Sequence, residues 1–371
     1  TLVSSRPTNV DDAKAISVLE ALRIKVRICG DTKKRGVGWN TVLAARTLLY
    51  GRSFFVENNF NREIRNTVHE LLGSTMYDAV HCNHIDTIQC LPANYDDYIV
   101  DTHNVMFDYF MRRSRNERNF AKRTFFALES RFVARYELEC LRRSIAAIVC
   151  SDNECRLLKS KLSDIELHVV PNGVDDERFS NPPRAAFDNP QTLVFVGDMS
   201  YEPNNDGAQW MVKQIMPLVR SRFPGTKLQI VGRNPSVELL RLSHGWVDVE
   251  ACGEVEDVDD YIRAAKVVVV PLRFGSGTRL KVIEAMASGI PVVSTRLGAE
   301  GVDCKDGEHV LLADTPEEFV GALGRLFNDR DLYDCLASRA SALVKQRYVW
   351  RELGVHVVEL YERIIAQRLS K

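Results

Sequence analysis

The sequence predicts an α/β protein of two doubly wound, Rossmann-like domains, each a parallel sheet with helices on both faces and with a cleft between the two. Three observations carry that prediction. Strand-like and helix-like segments alternate along nearly the whole chain. Some strands are unbroken apolar runs, with residues 267–270 reading Val-Val-Val-Val, as expected for parallel strands buried on both faces. The alternation is interrupted over 180–192 by Pro182, Pro183, Asp188 and Pro190, and then resumes. The expected domains are residues 1–180 and 181–350, followed by a helical segment 351–371.

In the first half, strands are expected at 1–5, 24–28, 77–81, 98–101, 146–151 and 168–171. Helical patterns cover 11–22, 41–49, 62–72, 85–89 and 153–161, and a long helical region follows Thr102-His103-Asn104 to about residue 143. In the second half, 192–197, 227–232, 247–251, 267–270 and 290–294 read as strands. Helices are expected at 206–221, 237–242, 258–265 and 278–288, and residues 315–371 are helical with breaks near Asp329 and Tyr348. Gly289 suits the position just past a helix end, and Pro291 prevents the helix from continuing. Ligands of such sheets bind at the carboxyl ends of the strands.

With 371 residues, 45% hydrophobic and 27% charged, the chain suits a two-domain globular protein. A net charge of −1 argues against a nucleic acid partner. No apolar stretch approaches the ~20 residues of a spanning helix, and no signal peptide opens the chain. The nine cysteines are scattered, with no Cys-x-x-Cys and no zinc spacing, and read as reduced residues of a cytoplasmic protein. The adjacent carboxylates Asp11-Asp12, Asp96-Asp97 and Asp259-Asp260 read as solvated faces, so no metal site and no cofactor are expected. There is neither a Walker loop nor a Gly-x-Ser-x-Gly element.

Residues 266–302 hold the strongest chemical signal. A buried strand leads into Gly275 and Gly277, then a helix, then a second strand. The two glycines let the backbone turn sharply and approach a ligand. A helix start after a glycine loop favours phosphate, through free N–H groups and the helix dipole. Arg279 and Lys281 add positive charge, and Glu284 offers a carboxylate that can accept from a sugar diol.

This loop with Lys281, Glu284 and Ala285-Met-Ala-Ser-Gly-Ile-Pro-Val-Val293 resembles the C-terminal signature of family 4 glycosyltransferases, retaining enzymes of the GT-B fold that use nucleotide sugars. Pro171-Asn-Gly-Val-Asp175, Phe195-Val-Gly197, Tyr201-x-Pro-Asn204-x-Asp206 and Gly253-x-Val255-x-Asp-Val258 are similar to a bacterial subgroup associated with exopolysaccharide and capsule assembly. The resemblance implies that Glu284 binds the donor ribose and that Gly275, Ser276, Gly277 and Thr278 offer N–H groups to the diphosphate. It places the nucleobase near Gly253, Glu254 and Val255. It implies catalytic roles for His103, Arg279 and Lys281, and sugar contacts for Asn104, Gly197 and Asn204. It implies that the last helix crosses back onto the first domain.

Two departures stand out. The first glutamate of the family's pair falls on Ser276, and the usual Arg and Lys after Phe-Val-Gly are missing: Asp198 follows Gly197, and no basic residue appears before Lys213. The phosphate charge is then expected to rest mainly on Arg279 and Lys281. The front of the chain also reads as short by a strand, loop and helix, with a weakened acceptor side as the expected consequence. The implied function is metal-independent retaining transfer from a UDP- or GDP-sugar to a glycan or lipid-linked acceptor. The alternatives are a non-catalytic nucleotide-sugar-binding protein and a sugar-nucleotide 2-epimerase. Residues 112–143 interleave ten Arg and Lys with Phe120, Phe125, Phe126, Phe132 and Tyr136. This suits either an anionic membrane surface at the inner face of the plasma membrane or a long helix whose aromatics pack on the first domain.

Overall fold

The computed structural model describes residues 1–6, 12–31, 37–175, 186–275 and 277–369. It divides into two compact units: residues 1–149, 155–168 and 361–371 form the first, and 150–154 with 169–360 form the second.

In the first unit β1 (Leu2–Arg6) pairs in parallel with β2 (Val26–Asp31) as a ribbon of its own. The strands β3 (His81–Asn83), β4 (Ile99–Thr102), β5 (Ala146–Val149) and β6 (Leu167–Val169) form a separate sheet in that order. The strand expected at 77–81 starts only at His81, because His81 pairs with Ile99, the first residue of β4. Ahead of it, Val80 still reaches that strand through its carbonyl, which accepts from Ile99 N at 2.8 Å. Helices α1 (Asp12–Ala21), α2 (Val37–Tyr50), α3 (Phe54–Asn58) and α4 (Arg62–Ser74) precede β3.

The long helical region is two helices, α5 (Met106–Asn116) and α6 (Phe120–Arg143). Asn119 separates them by capping α6, its side chain accepting from Lys122 N at 3.1 Å. Two buried glutamates of α6 hold other helix starts. Glu129 accepts from Ser53 Oγ at 2.5 Å and from Phe54 and Phe55 N at 2.9 Å, and Glu137 accepts from Met106 N at 3.0 Å and Phe107 N at 3.1 Å. Each carboxylate meets free N–H groups at the positive end of a helix dipole. The aromatics take the packing role: Phe110 stacks on Phe126 at 6.3 Å, and Phe125 meets Phe54 edge-on at 5.9 Å. Phe120 differs, being 82% exposed. Helix α7 spans Asp152–Lys159.

The second unit is a six-stranded sheet in the order β12-β11-β10-β7-β8-β9, and each pairing is parallel. Its strands are β7 (Thr192–Val196), β8 (Lys227–Val231), β9 (Val249–Gly253), β10 (Val267–Val270), β11 (Val292–Ser294) and β12 (Leu311–Leu312). The helix expected at 206–221 runs as α8 (Glu202–Trp210), a π turn over Met211–Ile215, and α9 (Met216–Arg222). Pro217 has no N–H to continue the ladder, and the preceding Met216 N reaches back to Met211 O, which is the wider π spacing. Helices α10 (Val237–His244), α11 (Val258–Ala264), α12 (Leu280–Ala287), α13 (Pro316–Asn328), α14 (Arg330–Arg347) and α15 (Trp350–Leu369) complete the unit's order. The core is continuous from Leu193 and Phe195 through Val267–Val270 to Leu323 and Leu336, all nearly inaccessible.

The boundaries differ from 180 and 350. Of the expected linker, residues 180–185 lie outside the described residues. Ala186–Asp188 is a turn packed into the second unit, with the Phe187 ring edge-on to Tyr333 at 5.4 Å and Lys266 Nζ 4.0 Å from its centroid. Val174 also joins that unit, accepting from Trp350 N at 3.1 Å and donating to Tyr348 O at 2.8 Å. Helix α15 changes unit at Tyr361 rather than at 351, for Tyr361 hydrogen-bonds His81 and Arg363 reaches Glu166 at 3.3 Å.

Candidate active site at the switch point of the second sheet

Strand order fixes where the site lies. From β7 the chain moves to β8 and β9 on one side, and then returns to β10 on the other before passing to β11 and β12. The loops leaving β7 and β10 diverge, and the opening between them is the crevice in which such sheets bind ligands. Val267 pairs with Leu193 and Val268 with Val194, so both loops leave at the same level.

The β10 loop carries the predicted glycines. Gly275 has φ +119° and Gly277 φ +87°, conformations that L side chains resist. A Cβ at Gly275 would also stand 3.2 Å from Arg279 Nη2 and 3.3 Å from the Tyr201 hydroxyl. Among the described residues no side chain caps α12. Its start keeps the positive potential of an open helix end. Ser276 lies outside the described residues. Thr278 is tied down by its hydroxyl, which donates to Cys150 O at 3.2 Å.

Arg279 and Lys281 are placed differently from one another. Arg279 is 6% exposed and donates through Nε to Leu297 O at 3.4 Å, so it is woven into the loop's own fabric. Lys281 points its ammonium to the end of β7, donating to Asn204 Oδ1 at 2.7 Å and lying 4.7 Å from the Phe195 ring centroid. Burial pulls its pKa down to about 7, and repulsion from Arg279 adds to this while Glu284 works against it. Lys281 and Glu284 are three residues apart and share a helix face, while Val282, Ile283, Ala285 and Met286 are buried.

Gly197 and Asn204 support Lys281. The Asn204 amide is committed at both ends, with Nδ2 donating to Asp198 O at 2.9 Å. A Cβ at Gly197 would stand 2.6 Å from that amide and 2.9 Å from Lys281 Nζ. Asn204 therefore positions the lysine.

The cation absent from the sequence after Gly197 arrives from β8. Arg233 donates through Nε to Asp198 Oδ2 at 2.7 Å. Ser200 N and Oγ reach Asp198 Oδ1 at 2.9 and 2.7 Å, and Asn234 Nδ2 reaches it at 3.3 Å. Burial opposes ionisation of Asp198, but these hydrogen bonds from Ser200, Arg233 and Asn234 hold its carboxyl well below the usual range. The position of Arg233 just past Gly232, at a strand's carboxyl end, is visible in the sequence. Its partner 35 residues away is not.

Gly253, Glu254 and Val255 lie at the end of β9, and Gly253 O accepts from Gly232 N at 2.8 Å. His103 and Asn104 belong to the first unit, beyond β4. The His103 ring is fixed by Asn83 Oδ1, 2.5 Å from Nε2, and stacks on His84 at 6.3 Å. His84 is in turn held by Asp86 at 2.6 Å.

A glycine loop at the switch point of a second Rossmann-like unit fits the architecture of a GT-B protein, and solved structures of that fold match nearly the whole chain. Sucrose-phosphate synthase from Thermosynechococcus elongatus aligns over 98% of this chain and 96% of its own, with a TM-score of 0.67 at 18% identity. WaaG, a glycosyltransferase involved in lipopolysaccharide biosynthesis, aligns over 98% and 99%, with a TM-score of 0.65 at 14% identity. Residues 190–329, which contain the switch point, match the family described as Glycosyl transferases group 1. Among curated relatives, phosphatidyl-myo-inositol mannosyltransferase of Mycobacterium leprae is 28% identical over 203 residues, covering 53% of each chain. The chain thus spans about half the length of the curated relatives it matches.

Proposed function

We propose that this protein is a retaining glycosyltransferase that moves a sugar from a UDP- or GDP-sugar to a glycan or lipid-linked acceptor in cell-surface polysaccharide assembly. The observation that carries the reading is Lys281, held by Asn204 at 2.7 Å beside the open start of α12 at the switch point. Departure of a nucleoside diphosphate builds negative charge on its β-phosphate. A preorganised cation and helix start answer that charge, and removing one such donor typically costs ~3 kcal/mol of barrier. Glu284, one turn further along α12, accepts from the ribose hydroxyls. We assign His103 a catalytic role, because its ring is fixed on both sides by Asn83 and His84. The relative that acts on phosphatidyl-myo-inositol and the neighbour from lipopolysaccharide biosynthesis support a lipid-linked acceptor.

On this reading transfer needs no metal. UDP or GDP raises the melting temperature of the wild-type chain, Glu284→Ala abolishes the shift, and a chelator leaves turnover unchanged. The absence of a shift with any nucleoside diphosphate overturns the donor site, and chelator-sensitive turnover overturns metal independence. Product analysis without acceptor separates transfer from 2-epimerisation, and binding without turnover marks a non-catalytic protein.

The protein is proposed to work in the cytoplasm at the inner face of the plasma membrane. No described helix is long and apolar enough to cross a membrane. The turn from α5 to α6 carries exposed Arg115, Arg118, Phe120, Lys122 and Arg123. Flotation with phosphatidylglycerol vesicles, and its loss in Phe120→Asp, tests this tip. Equal flotation of both chains counts against it.

A further inference from the structure

The first unit holds a cavity of about 760 Å³, walled by the end of α2, by α3 and by α6. A second hollow of about 590 Å³ lies along α2, and Tyr50 and Arg52 line both, so the two meet at that pair. Sites for small molecules commonly span about 300–1,000 Å³. None of the lining residues is among those given a part in donor binding or catalysis. The turn after α2 shapes the hollow. Gly51 takes φ +63°, and a Cβ there would stand 3.8 Å from Phe132 Cε1, so the chain turns over the edge of that ring. Ser53, Phe54 and Phe55 are then drawn onto Glu129 of α6. The floor is fixed from within. Gln89, in the 3₁₀ turn Ile85–Cys90, donates to Val56 O at 2.8 Å and to Asp86 O at 2.7 Å. Tyr136 donates its hydroxyl to Ile85 O at 3.3 Å.

The walls carry the chemistry. Arg52 gives Nη1 to Glu57 Oε1 at 3.1 Å, and Glu139 lies 3.7 Å from Arg142. Among the described residues no acceptor holds the guanidinium of Arg46 or of Arg135. A guanidinium presents a planar fork of donors that matches a carboxylate or a phosphate. Glu57 and Glu139 only accept, so they suit a ligand with hydroxyl donors. Tyr50, 67% exposed at the junction, and the half-buried Phe132 add flat apolar faces. A bare inorganic anion has too few donors for this lining, and an alkyl chain would bury the charges unpaired. A sugar bearing a carboxylate supplies all three partners: an anion, hydroxyl donors and a C–H face for a ring.

We infer that this double hollow of the first unit binds an acidic oligosaccharide, with Arg46 and Arg135 on its carboxylates, Glu57 and Glu139 on its hydroxyls, and Tyr50 against a sugar face. Arg46 lines one hollow and Arg135 the other, so a ligand that satisfies both carries an acid on more than one sugar. The site stands apart from the donor-site reading, because every residue in it belongs to the first unit. A site built to hydrogen-bond one group rejects an analogue lacking it, because its own polar atoms stay unpaired. Neutral oligosaccharides and single acidic sugars are therefore poor ligands here.

Calorimetric titration of the full chain in physiological salt tests this. The acidic probes are trigalacturonate and a hyaluronan tetrasaccharide, and the controls are galacturonate, neutral galactotriose and inorganic phosphate. Wild type is expected to bind at least one acidic probe at least about tenfold more tightly than any control. Arg46→Ala and Arg135→Ala each weaken that binding at least about tenfold, and Tyr50→Ala weakens it as well. The melting shift given by UDP or GDP stays as in wild type in all three variants. Each variant's melting temperature without ligand is read first, and either arginine variant carries the test where the other does not fold. No saturable binding of either acidic probe overturns the inference, as does equal binding of galactotriose or phosphate, or an unchanged affinity in a folded arginine variant. A wild-type chain that binds an acidic probe but shows no shift with any nucleoside diphosphate supports this site and overturns the donor site.

Discussion

At the scale of a residue, Lys281 is the group whose chemistry depends most on its surroundings. A lysine in water titrates at about 10.4. Here burial first, and Arg279 second, bring the value to about 7. The unfolded chain therefore holds this proton between about pH 7 and 10 while the folded chain has released it, so the folded state gains stability as pH rises through that window. Lys281→Met is expected to flatten this rise, measured as melting temperature from pH 7 to 9. A bound diphosphate reverses the balance by favouring the charged amine. Nucleotide binding at pH 8 is thus expected to take up a proton, and affinity is expected to fall as pH climbs above 7. Calorimetry in buffers of different ionisation enthalpy reads the uptake directly, and an identical observed enthalpy in all buffers contradicts it. The sequence placed Lys281 close behind the glycine loop. It did not show that Asn204 holds the ammonium, since that contact joins residues 77 positions apart.

At the scale of elements, α6 organises the first unit. Its buried carboxylates Glu129 and Glu137 lie eight residues apart, near one face of the helix, and each satisfies the start of another helix. Glu137→Ala leaves the Met106 and Phe107 N–H groups buried and unpaired, and is expected to destabilise the unit by about 2–3 kcal/mol in urea unfolding. Glu137→Gln keeps one acceptor and is expected to cost less. Equal stability of the alanine variant and wild type would show that water replaces the carboxylate. The sequence shows a basic helix with aromatics on it, but not that Glu129 and Glu137 are buried. Burial is set by what packs against the helix, which periodicity alone does not report.

At the scale of the whole molecule, one helix serves both units. In α15, residues up to Leu360 belong to the second unit and those from Tyr361 onward to the first. Ile364 is 1% exposed. Ile364→Ala is expected to weaken the first unit by about 3 kcal/mol, while the melting shift given by UDP or GDP persists. Loss of that shift together with the first unit's stability would mean that nucleotide binding depends on this anchorage. The two-unit α/β architecture, the switch-point loop and the helix after it were legible in the sequence, because buried parallel strands and glycine turns leave local patterns. Val267–Val270, Gly275, Gly277, Lys281 and Glu284 all sit where those patterns put them.

What the sequence determined by itself was therefore the local part: where strands and helices fall, and which glycine loop leads into a helix start. Only the tertiary structure decided which side chains stand around that loop. It buried Arg279 in the loop, gave Asn204 to Lys281, and moved residues 169–175 into the second unit. It also brought Arg233 to Asp198 in place of the cation that the segment after Gly197 does not carry. The physical reason is that sheet order joins strand ends distant in the chain. The partners of a charged group are set by which ends become neighbours, and a linear pattern holds no record of that choice.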